Sequence, residues 1–160
     1  MNERLEYQQL ECYKLANDMQ KEKLNREPYF DLGKLPGKQL QTEFAEYIYY
    51  RGTQVSILTI KAERQHFNSL CEFFKKPSHQ KNSLLDREKD IWIKQLKLWM
   101  MQNGRALTKH KVTSIQTESV EKAALIRYFE NLLEFTLDRS ETNELAKDIW
   151  YLERLPLILR

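Results

Sequence analysis

The clearest set of side chains that could do chemistry lies on one predicted helix of this 160-residue chain. Lys61, Arg64, Gln65 and Asn68 recur at i, i+3, i+4 and i+7, so they share one face of that helix. Cations suit phosphate, and amides can read base edges in the major groove of a duplex. Hydroxyl groups stand near the start of the helix, where free backbone N–H groups also attract phosphate, on Thr53, Ser56 and Thr59. The face predicts a nucleic-acid contact, and the alternative is an ordinary solvated face with a capping serine.

A second basic cluster surrounds the connector before the fifth predicted helix. The residues that we expect to contact DNA there are Lys109, Lys111, Thr117, Ser119 and Lys122. The alternative interpretation is a flexible polar loop.

Residues 51–128 carry 15 Lys+Arg against 7 Asp+Glu, whereas residues 1–50 have a net charge of −2 and residues 129–160 a net charge of −3. A basic block between acidic ends is one feature of proteins that bind polyanions.

No pattern typical of an active site is present. His66, His79 and His110 lie at least 13 residues from one another in sequence and show no metal-binding motif, so no metal site, cofactor or small-molecule substrate is predicted. Cys12 and Cys71 show no zinc or disulfide pattern and fit a reducing cytoplasm. No apolar run approaches the roughly 18 residues of a membrane span, and the charged N-terminus is unlike a signal peptide. The sequence therefore predicts a cytoplasmic protein without a membrane partner.

The spacing of apolar residues predicts an all-α fold, an orthogonal helical bundle. With 4 Gly and 4 Pro in the whole chain, an all-β fold is disfavoured, because sandwiches and barrels need more of both at their turns. A polar stretch at 25–33 is predicted to be a linker, and Gly52 is predicted to end the second helix. Ser83, followed by Asp86, resembles a capping box. The six predicted helices span about 2–24, 36–50, 56–75, 83–103, 117–137 and 140–155.

Two stretches, LQTEFAEYIYYRG and TQVSILTIKAERQHFNSLCEFF, resemble the opening of the core-binding domain of tyrosine recombinases and phage integrases. The shared pattern is a short helix ending near Arg51-Gly52, a Ser/Thr-rich entry, Thr59-Ile60, and a helix ending in Leu-x-x-Phe. The stretch DIWIKQLKLWMMQNG and residues 117–137 are similar to the third and fourth helices of that domain.

The resemblance implies a SAM-like four-helix core at 34–139 that clamps duplex DNA. It implies a helical extension and linker at 1–33, and a helix at 140–160 that leads toward a missing C-terminal part. In that family two helices face the DNA, and by position they are the ones that carry the two basic clusters.

The implied function is that of a DNA-binding module of an integrase or transposase, without catalysis of its own. The chain has no His-x-x-Arg motif, which the catalytic domain of that family carries. Self-association on DNA is left open. The alternative is a helical protein-interaction module, which the acidic, amphipathic first segment supports. Convergence of the Lys61/Arg64 and Lys109/Lys122 clusters on one concave face would favour DNA, whereas their dispersal around the bundle would favour the protein-interaction module.

Overall fold

The computed structural model describes residues 3–24, 26, 28–103 and 115–154, with side chains in the last range for residues 120–143. This part of the chain is mostly helical, which confirms the predicted class, but it also holds a small antiparallel sheet. The strands are β1 (Arg4–Glu6) and β2 (Tyr29–Asp31). The helices are α1 (Glu11–Lys14), α2 (Asp18–Glu22), α3 (Lys38–Gln54), α4 (Ile57–Phe74), α5 (Lys89–Gln102) and α6 (Ile115–Arg154).

The prediction of one long helix over residues 2–24 is wrong. Side-chain hydrogen bonds to the backbone interrupt the predicted helix at two places, because they replace the backbone hydrogen bonds of a continuous helix. The backbone N–H of Glu6 donates to Gln9 Oε1 at 2.8 Å, and that of Gln20 donates to Asn17 Oδ1 at 2.8 Å. The result is a strand, a 3₁₀ turn and two short helices. Met19, which the heptad pattern placed on the apolar stripe, is 68% exposed.

The predicted linker at 25–33 is also wrong, because part of it is a strand. β2 pairs with β1 in the register Leu5↔Phe30. Phe30 is 1% exposed, and its ring meets those of Tyr7 and Phe67 at centroid distances of 5.6 and 5.3 Å. Because the buried side chains of this N-terminal segment join those of the helices in one hydrophobic cluster, the segment is part of the core.

Gly52 does not end α3 but lies within it. A Cβ at this position would come within 3.1 Å of Leu10 Cβ, so the glycine lets the N-terminal segment approach the helix closely. The chain leaves α3 at Val55, and Ser56 then caps α4 by accepting a hydrogen bond from the backbone N–H of Thr59. The predicted bounds of α4 are correct to within one residue.

The predicted capping box at Ser83 is present, but it opens a 3₁₀ turn at Leu84–Asp86, and α5 begins only at Lys89. The buried carboxylate of Glu43 on α3 holds this turn. It accepts hydrogen bonds from Ser83 Oγ at 2.6 Å and from the backbone N–H of Leu84 at 2.9 Å. A buried acid is thus satisfied by donors that the start of the turn would otherwise leave unpaired.

The fifth and sixth predicted helices are one continuous helix, α6. The predicted break near Ser140 fails because this stretch contains no Gly or Pro, and its hydroxyl groups bond within the helix. Thr142 Oγ1, for example, donates to the carbonyl of Asp138 at 2.9 Å. α6 runs antiparallel to α5, since Lys89 Nζ lies 2.7 Å from Glu134 Oε1 and the Trp92 and Phe129 rings meet at 6.0 Å.

His66 is half-buried and His79 is buried, and we therefore expect the protein to lose stability in mild acid. His79 stacks on Phe73 at 4.2 Å, and His66 contacts the Tyr128 ring at 5.6 Å. Burial lowers the pKa of both imidazoles, and Arg87 and Lys76 lower that of His79 further. As the pH falls below about 6.5, the unfolded chain binds protons that the folded chain does not bind, so the free energy of unfolding decreases.

We expect that decrease to stay under about 1.4 kcal/mol per pH unit for each histidine, the linkage limit for one proton. Urea denaturation at pH 7.5 and 5.5 measures it, and a His66→Gln/His79→Gln variant should show a smaller difference. An equal pH dependence in that variant would contradict this explanation.

Candidate nucleic-acid interface

The outer face of α4 carries the predicted contact residues. The helix buries Ile60, Phe67 and Cys71 on its inner side, which fixes its rotation. Gln65 and Lys61 are exposed on the other side, as the helical spacing predicts, and Asn68 on that side is half-buried. Arg64 is half-buried at its edge.

The N-terminal segment lies beside this face and contacts both of its cations. Lys61 Nζ donates to the carbonyl oxygen of Lys23 at 2.7 Å, and Arg64 Nε donates to that of Tyr29 at 3.0 Å. These partners are 38 and 35 residues away in the chain. Sequence reasoning missed the contacts, because no local pattern connects a lysine on a helix with a distant backbone carbonyl.

These contacts bring the backbone of Lys23 beside the face, and two further cations lie in that part of the sequence. The carbonyl oxygen of Lys23 accepts the hydrogen bond from Lys61, and Arg26 lies in the sequence between Lys23 and Tyr29. Both side chains are exposed, and within the described residues neither is hydrogen-bonded or ion-paired through its charged group. We call these residues together the basic face: Lys23, Arg26, Lys61, Arg64, Gln65 and Asn68. Glu22, next to Lys23 in the sequence, is an exposed acid.

The three predicted hydroxyl residues are exposed, but they bond locally. Thr53 Oγ1 donates to the carbonyl of Tyr50 at 2.7 Å, and the Ser56 and Thr59 hydroxyls lie 3.2 Å apart. Thr59 precedes Lys61 by two residues, about 200° round the helix, so it lies on a different side of α4. The structure therefore does not bring Thr59 to the basic face, and Ser56 acts as a helix cap.

The second predicted cluster lies largely outside the described residues. This holds for Lys109 and Lys111, and for the side chains of Thr117 and Ser119 on α6. Lys122 is half-buried on α6, and α6 meets α4 at His66. The convergence of Lys122 with the Lys61/Arg64 cluster therefore stays a prediction.

Arg51, at the Arg-Gly pair of the recombinase-like stretch, is held in an ion pair with Glu63 on α4. Its Nε donates to both carboxylate oxygens at 3.2 and 3.3 Å, and its Nη2 also contacts Oε1. The pairing raises the pKa of Arg51. This cation therefore joins α3 to α4 and is not free for phosphate.

The two tyrosines next to this pair are poorly suited to act as nucleophiles. Tyr47 and Tyr128 are buried, with ring centroids 5.5 Å apart. Burial raises the pKa of Tyr47 to about 12 and that of Tyr128 well above its ordinary value. Both hydroxyls are therefore harder to deprotonate than that of an exposed tyrosine.

The contacts of the basic face predict different stabilities for two alanine variants. Arg64→Ala removes a half-buried hydrogen bond that holds β2, so we expect a loss of about 0.5–1.5 kcal/mol. Lys61→Ala acts at an exposed position and should change the free energy of unfolding by less than about 0.5 kcal/mol. Urea denaturation compares the two, and an equal loss would show that the Arg64 contact does not hold the strand.

Comparison with protein-family models, with curated proteins and with solved structures finds no match. The similarity to recombinases therefore remains a prediction from the sequence. No helix of the described residues is long and apolar enough to cross a membrane. Among the same residues, no three His, Cys, Asp or Glu side chains are grouped to hold a metal ion.

Proposed function

We propose that this chain is a duplex-DNA-binding module that contacts DNA through the basic face of α4. The observation that carries the proposal is the hydrogen bond from Lys61 to the Lys23 carbonyl, which brings the backbone of a distant, cation-bearing stretch of the sequence beside α4. Cations of this kind neutralise phosphates and release counterions, which supplies most of the affinity of non-specific DNA binding. The amides of Gln65 and Asn68, on the same face, can hydrogen-bond to base edges.

A narrower form of the proposal is the DNA-binding module of a tyrosine recombinase or transposase. Its support is the order of residues from Arg51 to Phe74, together with the position of α4 after a Ser/Thr-rich entry. Cleavage and rejoining of DNA would then belong to another part of such an enzyme. The competing proposal is a protein-interaction module. Leu5 and Cys12 of its predicted amphipathic segment are buried in this chain's own core, whereas Leu15 and Met19 of the same segment are exposed.

The salt dependence of binding tests the proposal. Fluorescence anisotropy with a labelled duplex, repeated at several salt concentrations, gives the slope of log K against log [salt]. Each neutralised phosphate contributes about −0.9, so the four cations of the basic face predict a slope of up to about −3.6. Two duplexes of unrelated sequence serve as the comparison, because phosphate contacts carry no sequence information.

We expect binding to both duplexes at low salt and a steep loss as salt is added. A flat salt response would contradict the proposal, and so would the absence of binding at low salt. A single-stranded oligonucleotide of equal length distinguishes duplex binding from general attraction to polyanions, since the proposal predicts tighter binding of the duplex.

A further inference from the structure

α5 carries a second apolar surface that the described part of the chain leaves exposed. Its inner side is already buried through Trp92, Leu96 and Trp99. On its outer side Ile91, Leu98 and Met101 are exposed by 46%, 49% and 80%. Their spacings of seven and three residues place them on one stripe of the helix, and large apolar side chains grouped in this way on a surface mark interaction sites.

The outer stripe is also cationic. Lys94 lies three residues after Ile91 and four residues before Leu98, so it is on the same stripe of the helix. Exposed Lys97 directly precedes Leu98. Within the described part of the chain, neither ammonium group has a hydrogen bond or an ion pair. Asp90, at the start of α5, is the acid nearest to the stripe in sequence.

We propose that this stripe, formed by Ile91, Lys94, Leu98 and Met101, is the docking site for an acidic amphipathic helix of a partner protein. The positions 91, 94, 98 and 101 follow the a and d spacing by which one helix packs its side chains between those of another. Leucine-like residues of the partner would cover the three apolar side chains, and flanking carboxylates would pair with Lys94 and Lys97.

Charge favours this occupant over the others. A second copy of α5 would bring the unpaired lysines of both chains together, which disfavours self-pairing through this surface. DNA would meet the lysines but would leave the three apolar side chains without suitable partners, since its phosphates bind polar groups. This inference concerns a different surface from the basic face and does not depend on DNA binding.

A designed helical peptide tests the inference. The probe is a fluorescein-labelled peptide with leucines at i, i+3, i+7 and i+10 and glutamates at the flanking positions. The comparison peptide replaces those glutamates with lysines. Anisotropy titration should show saturable binding of the acidic peptide, at least tenfold tighter than that of the basic one. Failure of the acidic peptide to bind, or equal binding of both peptides, would overturn the inference.

Paired variants then locate the site. Leu98→Gln/Met101→Gln should weaken binding of the acidic peptide at least tenfold, which corresponds to about 1.4 kcal/mol. The matched control is Leu15→Gln/Met19→Gln, at apolar positions that are 87% and 68% exposed elsewhere. Equal loss in both variants would overturn the inference, as would a Leu98/Met101 variant that binds normally.

If the Leu98/Met101 variant does not fold, judged by its circular dichroism, Lys94→Glu/Lys97→Glu takes its place. That variant should lose the acidic peptide and bind the basic one more tightly than the wild-type chain does. Unchanged preference for the acidic peptide would overturn the inference.

Discussion

Replacing Phe67 with alanine should lower the free energy of unfolding by about 3–5 kcal/mol, the usual cost of removing a buried aromatic ring. Phe67 is 0% exposed, and its ring contacts Phe30 of the N-terminal segment at 5.3 Å and Phe44 of α3 at 5.7 Å. Truncation therefore leaves a cavity at the point where the segment, α3 and α4 meet. Urea denaturation of the variant and the wild-type chain measures the loss.

Tyr49→Ala is the control for this prediction, because Tyr49 is 41% exposed and its loss should change stability by about 0.5 kcal/mol or less. A Phe30→Ala/Phe67→Ala double-mutant cycle adds a test of the contact itself. Aromatic pairs of this kind couple by about 0.5–1.5 kcal/mol. A small loss for Phe67→Ala, or a coupling energy of zero, would mean that the N-terminal segment does not pack on α4 as described.

The second large effect concerns DNA. Lys23→Glu/Lys61→Glu should weaken duplex binding at least tenfold at low salt, because each substitution removes a phosphate contact and adds a repulsive charge. It should also make the slope of log K against log [salt] shallower by about 1.8, the contribution of two phosphates. Both positions are exposed, so the fold should persist.

Lys94→Glu/Lys97→Glu is the matched control for the charge reversal. It changes the net charge by the same amount on two exposed lysines of a different helix, α5. We expect it to reduce DNA affinity only slightly, through the long-range field of the protein. Equal losses in the two variants would show that DNA responds to the net charge alone and would contradict a specific role for α4.

The parts of the fold with strong helical periodicity could be predicted from the sequence. α4 repeats apolar residues over five turns and has a serine cap, so both its bounds and its rotation followed from its own residues. The rotation in turn gave the exposed positions of Lys61 and Gln65 correctly. A long amphipathic helix carries its own signal, because the same side must be buried along its whole length.

The N-terminal segment could not be predicted in this way. Its apolar residues fit a seven-residue repeat as well as they fit the observed strand and short helices. The decisive interactions are side-chain hydrogen bonds to the backbone, such as that of Asn17, and the pairing of Leu5 with Phe30, 25 residues apart. Long-range pairing leaves little trace in local sequence, so the addition of Lys23 and Arg26 to the site was missed as well.

We propose that DNA contacts α4 through its basic face, and the side-chain amides of Gln65 and Asn68 report on that contact. A titration of the ¹⁵N-labelled chain with a short duplex, followed by NMR, compares these two signals with the side-chain amide of Gln102 at the end of α5. We expect the Gln65 and Asn68 side-chain amide resonances to shift with DNA concentration, while that of Gln102 stays in place. Shifts confined to α5, or no shifts at α4 under conditions where anisotropy shows binding, would contradict it.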